Sequence, residues 1–215
     1  MWASGASEAT GVGLVGDRRV FGGHIAGLGT TSGVRMVIGM WSESPFGQFA
    51  DVMVETADGQ RTLLAPSEEV AEFVSTTYGF DHVEIGPVTA EQPPDGFTVT
   101  APGLAVTGYL GGPAQFDWLL RMVPPPLARA PLWLRAINPV ASRLVRGVRT
   151  AGSAGHGRRE YYGVCRTRRI VGIDGDFRGT PLGALAPLEP PVRFGFSSAP
   201  AAPQLVSVTT TIDLP

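Results

Sequence analysis

All 17 basic residues of this chain are arginine; the sequence contains no lysine. Schiff-base chemistry on carbonyl substrates needs a lysine amine, so that mechanism has no side chain to run on here. Arginine stays protonated and presents a rigid fork suited to carboxylates and phosphates. The composition therefore tilts a polar site toward anion binding, although a GC-rich coding bias would also replace lysine by arginine. The most distinctive local segment is Gly152-Ser153-Ala154-Gly155-His156-Gly157-Arg158-Arg159-Glu160. Its small residues let backbone amides approach a ligand. Arg158 and Arg159, with His156 beside them, could clamp a carboxylate or phosphate bidentately. The plainer reading is a tight loop leading into a strand with a salt-bridged arginine. It is not a nucleophile elbow, because position 151 is alanine where that motif needs glycine.

The other candidate motifs are weaker. Gly11-x-Gly13-x-x-Gly16 matches the dinucleotide fingerprint in letters, but no strand pattern precedes it and no helix pattern follows. His24, His82 and His156 show no metal-ligand spacing. Cys165 lies between Val164 and Arg166 in a strand-like run and reads as a buried or edge thiol rather than a nucleophile. No metal or cofactor is expected from these residues.

Net charge is −2, so no global field favours nucleic acid or an anionic membrane. The charges are nevertheless segregated. Residues 43–95 carry 11 acids and one base, Arg61, whereas residues 143–169 carry eight arginines and one acid, Glu160. Such halves can pair within the fold or across a homo-oligomer contact, or the basic half can hold an anion. The single cysteine forms no internal disulfide. No signal-peptide pattern opens the chain and no apolar run is long enough to span a bilayer. The expected setting is cytoplasmic, with a small-molecule ligand (a carboxylate among the candidates), no nucleic-acid partner and no membrane.

These residues need elements to position them. Residues 1–23 are glycine-rich and read as a flexible arm preceding one domain over 24–215. Val34–Trp41, Phe49–Thr56 and Gln60–Ala65 read as strands, the last two joined by an Asp58-Gly59 hairpin turn. A helix follows over 67–78: Ser67 is its N-cap, Glu68 and Glu69 suit the first turn, and Val70, Phe73, Val74 and Thr77 share a face. Strands resume at His82–Thr89, Phe97–Ala101 and Leu104–Leu110. Residues 114–146 form a second helical zone, broken at Pro124-Pro125-Pro126, bent or delayed by Pro131 and restarted at Asn138-Pro139. Its amphipathic stretches are expected to pack on the core. Tyr161–Arg166, Arg168–Ile173 and Gln204–Ile212 are strand-like, and the proline-rich 182–203 stretch is a surface wrap. The fold class is α+β: a single domain, its largely antiparallel sheet curling into a barrel with a few packed helices.

The stretch from Ser44 to Ile85 resembles the acetoacetate decarboxylase-like superfamily. The resemblance rests on Pro45-Phe46-Gly47-Gln48-Phe49-Ala50-Asp51-Val52, a hairpin, a helix, and Tyr78-Gly79-Phe80-Asp81-His82. The basic segment from Gly147 to Tyr162 is similar to that of uncharacterised actinobacterial proteins. The resemblance implies a closed antiparallel barrel with a central pocket. It places Asp51 at a pocket glutamate, His82 and Val83 at the family's lysine pair, and Arg35, by order along the chain, at an arginine that binds the substrate carboxylate. His82 cannot form the iminium, so the expected function is small-molecule binding without Schiff-base catalysis. The alternative is a lysine-independent lyase, hydratase or isomerase using a His82/Asp51/Arg35 pocket on a small oxo or hydroxy acid.

Overall fold

The computed structural model describes residues 18–128, 130–144, 150–153, 157–195 and 199–214. The strands are β1 (Arg18–Thr30), β2 (Arg35–Glu43), β3 (Phe49–Glu55), β4 (Arg61–Ala65), β5 (His82–Ile85), β6 (Thr89–Glu91), β7 (Gly96–Ala101), β8 (Leu104–Pro113), β9 (Ala151–Ser153), β10 (Arg159–Phe177), β11 (Thr180–Pro181), β12 (Leu185–Ala186) and β13 (Gln204–Asp213). The helices are α1 (Glu68–Thr77), α2 (Asp117–Arg121), α3 (Pro125–Ala128) and α4 (Pro131–Leu144). All strands join one sheet of order β5-β4-β3-β2-β1-β13-β10-β8-β7-β6, with β9, β11 and β12 attached at its sides. Among the described residues every pairing is antiparallel except β4 with β5. Opposite ends of the sheet approach each other where β6 meets β3, so the sheet curls. This is the α+β, antiparallel, barrel-like class that the strand and helix patterns imply.

Strand side chains alternate between faces, and here the two faces have different contents. One face gathers Met36, Ile38, Val52, Val54, Leu64, Phe97, Val99 and Val106 into a single apolar core. Most of these are fully buried, Phe97 among them. The other face of β3-β2-β1-β13-β10 lies beneath the helices. Leu63 and Ala65 of β4 pack there against Val70, Ala71 and Val74 of α1. Ser67 caps α1 as its sequence implies, its hydroxyl accepting from Val70 N at 3.3 Å.

The structure revises several sequence expectations. Residues 18–23, assigned to the flexible arm, are the first half of β1, paired along their length with β13 and, at Gly22 and Gly23, with β2 as well. Glycines there weaken local propensity, but the pairing with β13 supplies the register. Residues 1–17, including the Gly11–Gly16 motif, lie outside the described residues. The strands expected at 161–166 and 168–173 are one 19-residue strand, β10, which absorbs its irregularity in a register shift between Val164 and Arg166. The second helix is delayed to Pro131, which begins α4, and Pro139 sits inside α4 instead of opening a new one. Asn138 is therefore no N-cap; its Oδ1 accepts from Thr150 N at 2.8 Å and from Ala151 N at 3.3 Å, tying α4 to β9.

Candidate functional site

Beneath the helices the sheet encloses a cavity of about 630 Å³. Strand register builds its floor. Asp51, Gly39, Ile25, Val206 and Thr167 form one row across β3, β2, β1, β13 and β10. Phe21, Thr210 and Tyr162 form a second, and Ile212 with Glu160 a third. The shift at Cys165 is essential to this lattice. By plain alternation Thr167 would face away from Glu160, Tyr162 and Val164; the extra residue returns it to their side. Phe73 and Tyr78 from the α1 end, Leu119 of α2, Trp133 and Leu134 of α4, and Val192, Phe194, Ala199 and Pro203 of the wrap complete the walls. Phe116, just before α2, adopts a left-handed conformation with φ 68°, uncommon for so bulky a residue, and also borders the cavity.

Two carboxyls are buried in this apolar wall. Trp41 Nε1 donates to Asp51 Oδ1 at 2.9 Å. Gly39 makes room for that bond: a Cβ there would lie 2.4 Å from Asp51 Oδ1 and 2.5 Å from Trp41 Nε1. Burial pushes the Asp51 pKa up to about 7, against the opposing pull of the Trp41 hydrogen bond. Glu160 is 0% exposed. Tyr78 Oη donates to Glu160 Oε1 at 2.5 Å, and the Tyr78 and Tyr162 hydroxyls are 3.2 Å apart. Burial raises the Glu160 pKa to about 7, although the hydrogen bonds from Tyr78 and Tyr162 favour its ionised form. Both tyrosines are held well above their ordinary pKa, first by burial and then by the Glu160 charge. The Asp51 charge is felt at Tyr162 as well, which links the two acids electrostatically.

Glu160 Oε2, Thr167 Oγ1 and Thr210 Oγ1 are buried without a hydrogen-bond partner among the described residues. All three belong to residues that line this one cavity. Buried polar atoms are ordinarily satisfied, so three unmet oxygens on one wall mark it as a place where polar contacts are to be made.

Of the described candidate site residues Arg35, Asp51, His82, Arg158 and Arg159, Asp51 alone lines this cavity. Arg35 sits on the same face, two register rows further along β2, about 13 Å by strand rise. There Arg35 Nη2 donates to Glu55 Oε1 at 3.1 Å and Nη1 to Pro190 O at 2.6 Å, in a buried ion pair that Arg193 joins. His82 is exposed on edge strand β5, its Nε2 3.2 Å from Gln60 Oε1. The structure thus does not bring Arg35, Asp51 and His82 together. The wrap around Pro190 claims the Arg35 guanidinium. His82 lies on β5, the outermost strand of the path.

Arg158 lies just before β10 and Arg159 is its first residue, and the two side chains go to different places. Arg158 donates to Phe73 O at 3.1 Å and to Thr77 Oγ1, and its guanidinium stacks 4.9 Å from the Phe73 ring centroid. It holds the last turn of α1 and is no free anion clamp. Arg159 enters a different, polar cleft with Arg135, Asn138 and Tyr161. His156 lies outside the described residues. Glu160, read from sequence as a salt-bridge partner for these arginines, pairs with tyrosines instead. Its signal was available: Glu160, Tyr162 and Val164 alternate on one strand face, with the lone acid of the basic segment at their head.

No family model matches the chain, and no curated protein matches it. Among solved structures the chain is similar to an acetoacetate decarboxylase from Legionella pneumophila, with a TM-score of 0.42 and 9% identity over 99% of this chain and 90% of that one.

Proposed function

We propose that this chain binds a small, uncharged molecule with a largely apolar body and one polar end. The three unpartnered oxygens of Glu160, Thr167 and Thr210 carry this reading. The cavity volume of about 630 Å³ is in the range of small-molecule sites. Its walls are aromatic and aliphatic, which suits a hydrocarbon body. A carboxylate ligand fits poorly. Two acids are buried in the wall, and Arg169, the one arginine among the lining residues, is exposed. A hydroxyl or carbonyl group satisfies the oxygens and their neighbouring tyrosines without adding a third negative charge.

A matched series tests this: 1-decanol, 2-decanone and decanoate, which share a chain and differ at the head. The alcohol and ketone should raise the melting temperature of the protein, and decanoate should raise it less. Ile25→Trp, which fills the floor, should abolish the shifts. Equal stabilisation by decanoate, or shifts that survive Ile25→Trp, would overturn the assignment.

Glu160 beside two tyrosines also favours proton transfer as a second reading, since a group titrating near pH 7 is matched to acid–base work. In that step the Glu160 carboxylate takes an α-proton from a bound ketone while a tyrosine hydroxyl hydrogen-bonds the forming enolate oxygen. Return of the proton regenerates the ketone. In deuterated water this appears as deuterium at the α-carbons of 2-decanone, read by NMR. Exchange no faster than in buffer, or unchanged in Glu160→Gln, removes the reading.

A further inference from the structure

Helices α2 to α4 cover the cavity with one face and turn another outward. On that outer side Trp118 is 64% exposed, Met122 65%, Leu127 39% and Leu132 79%. Trp118 and Met122 are four residues apart on the α2 side away from the cavity-lining Leu119 and Leu120. Among the described side chains of α2 to α4 the charged groups are Arg121, Arg135 and one acid, Asp117, which is buried and paired with Arg121 at 3.3 Å. On α4, Arg135 follows Leu132 by one turn and opens, with Arg159, Asn138 and Tyr161, a polar cleft of about 310 Å³. Neither Arg135 nor Arg159 has a carboxylate partner among the described residues.

We propose that this helical face docks on an anionic lipid bilayer, with Trp118, Met122 and Leu132 entering the interface and a lipid phosphate seated between Arg135 and Arg159. An exposed tryptophan and leucines flanked by arginine are the makeup of helices that lie in a membrane surface. Paired guanidinium forks match a phosphate. A second copy of the chain is the poorer occupant, because a two-fold contact would set Arg135 and Arg159 against their own copies. No described helix is long and apolar enough to cross a membrane, so the contact is a surface one. The outer face adjoins a cavity suited to apolar molecules, and docking brings that cavity to a phase in which such molecules concentrate. The proposal goes beyond the cavity reading and stands or falls separately from it.

The experiment is flotation of the full chain with vesicles of phosphatidylcholine alone and of phosphatidylcholine with phosphatidylglycerol. Binding is expected to the second and not the first, and to weaken with salt. Arg135→Gln and Arg159→Gln should each weaken it about fivefold. Trp118→Ser with Leu132→Ser should abolish it, with circular dichroism reporting whether that variant folds; should it not fold, the arginine variants decide. Ile25→Trp should leave flotation unchanged while removing cavity ligands. Three results overturn the proposal. The first is no flotation with anionic vesicles, or flotation indifferent to these substitutions. The second is sedimentation showing a dimer that the Trp118/Leu132 variant dissolves, which makes the face a self-contact. The third is inorganic phosphate binding at Arg135 and Arg159 without any vesicle binding, which makes the cleft a free-anion site.

Discussion

The two faces of β1, β2 and β3 are made by alternate residues of the same strands, yet one is full and the other encloses a cavity. On the full face Ala26, Leu28, Met36, Ile38, Val52 and Val54 interlock with Phe97 and Val106 from across the curl. On the other face the corresponding positions are Ile25, Gly27, Val37, Gly39, Asp51 and Met53. Two glycines and an acid replace large apolar side chains. The missing volume becomes space, and the acid becomes a buried polar group facing it. A sheet can thus separate stability from binding by parity alone: odd positions in these strands build the cavity, and even ones hold the fold together.

The sharpest way to break that division is to empty the full face. Phe97→Ala removes a ring with no exposure at all and should destabilise by about 3–5 kcal/mol, measured by urea denaturation. The matched truncation on the other face, Phe49→Ala, takes away a ring that already borders the cavity. It should cost less, because fewer contacts are lost. Equal costs would mean that the cavity face is as tightly packed as the core.

The buried acids give the next effect, with a definite sign. In the unfolded chain each carboxyl releases its proton near its ordinary value of about 4. In the fold Asp51 and Glu160 hold theirs until about pH 7. The folded form therefore binds more protons through that window. Stability is greatest below it, falls as pH rises from about 4 to about 7, and levels off above. Asp51→Asn and Glu160→Gln should flatten the fall, each recovering on the order of a few kcal/mol at alkaline pH. Chemical denaturation across the pH range reads this directly. A flat profile through the window would show both groups ionised and well solvated, and a rising one would show them held below their unfolded values.

Much of this architecture is legible in the residues. The Ser67 cap, the Asp58-Gly59 turn and the alternation at Phe49–Glu55 rest on local chemistry, and the structure reproduces them. The cavity is not legible in the same way. Glu160 is adjacent in sequence to two arginines, and nothing local says that its partners are Tyr78, which is 82 residues away, and Tyr162. Arg35 carries the correct parity, but only the wrap at Pro190 shows that its charge is spent on Glu55. The register shift at Cys165 that returns Thr167 to the cavity has no composition signature, since cysteine is not a bulge residue by propensity. Tertiary partners decided each of these positions.

Gly39 offers a smaller test at a single atom. The Cβ of Gly39→Ala enters the Trp41–Asp51 hydrogen bond from a distance that cannot be kept. Either side chain must move, leaving a buried donor or acceptor unmet, at about 1–3 kcal/mol. Small-molecule binding in the cavity should fall with it. The fluorescence of Trp41 should change, and comparison with Trp41→Phe isolates that contribution. A variant with unchanged stability and unchanged binding would mean that the Asp51 contact is dispensable to both.

His82 marks the opposite limit of the comparison. It carries the side chain that the sequence resemblance would assign to catalysis, yet it stands on the edge strand β5, exposed, with Gln60 its one hydrogen-bond neighbour among the described residues. Its ring contributes to neither the full face nor the cavity. His82→Ala should change stability by no more than about 0.5 kcal/mol, as for surface positions generally. It should leave ligand-induced melting shifts and any α-proton exchange untouched, while Glu160→Gln alters both. Loss of binding or exchange in His82→Ala would move the chemistry to the sheet edge and remove the cavity from its central place.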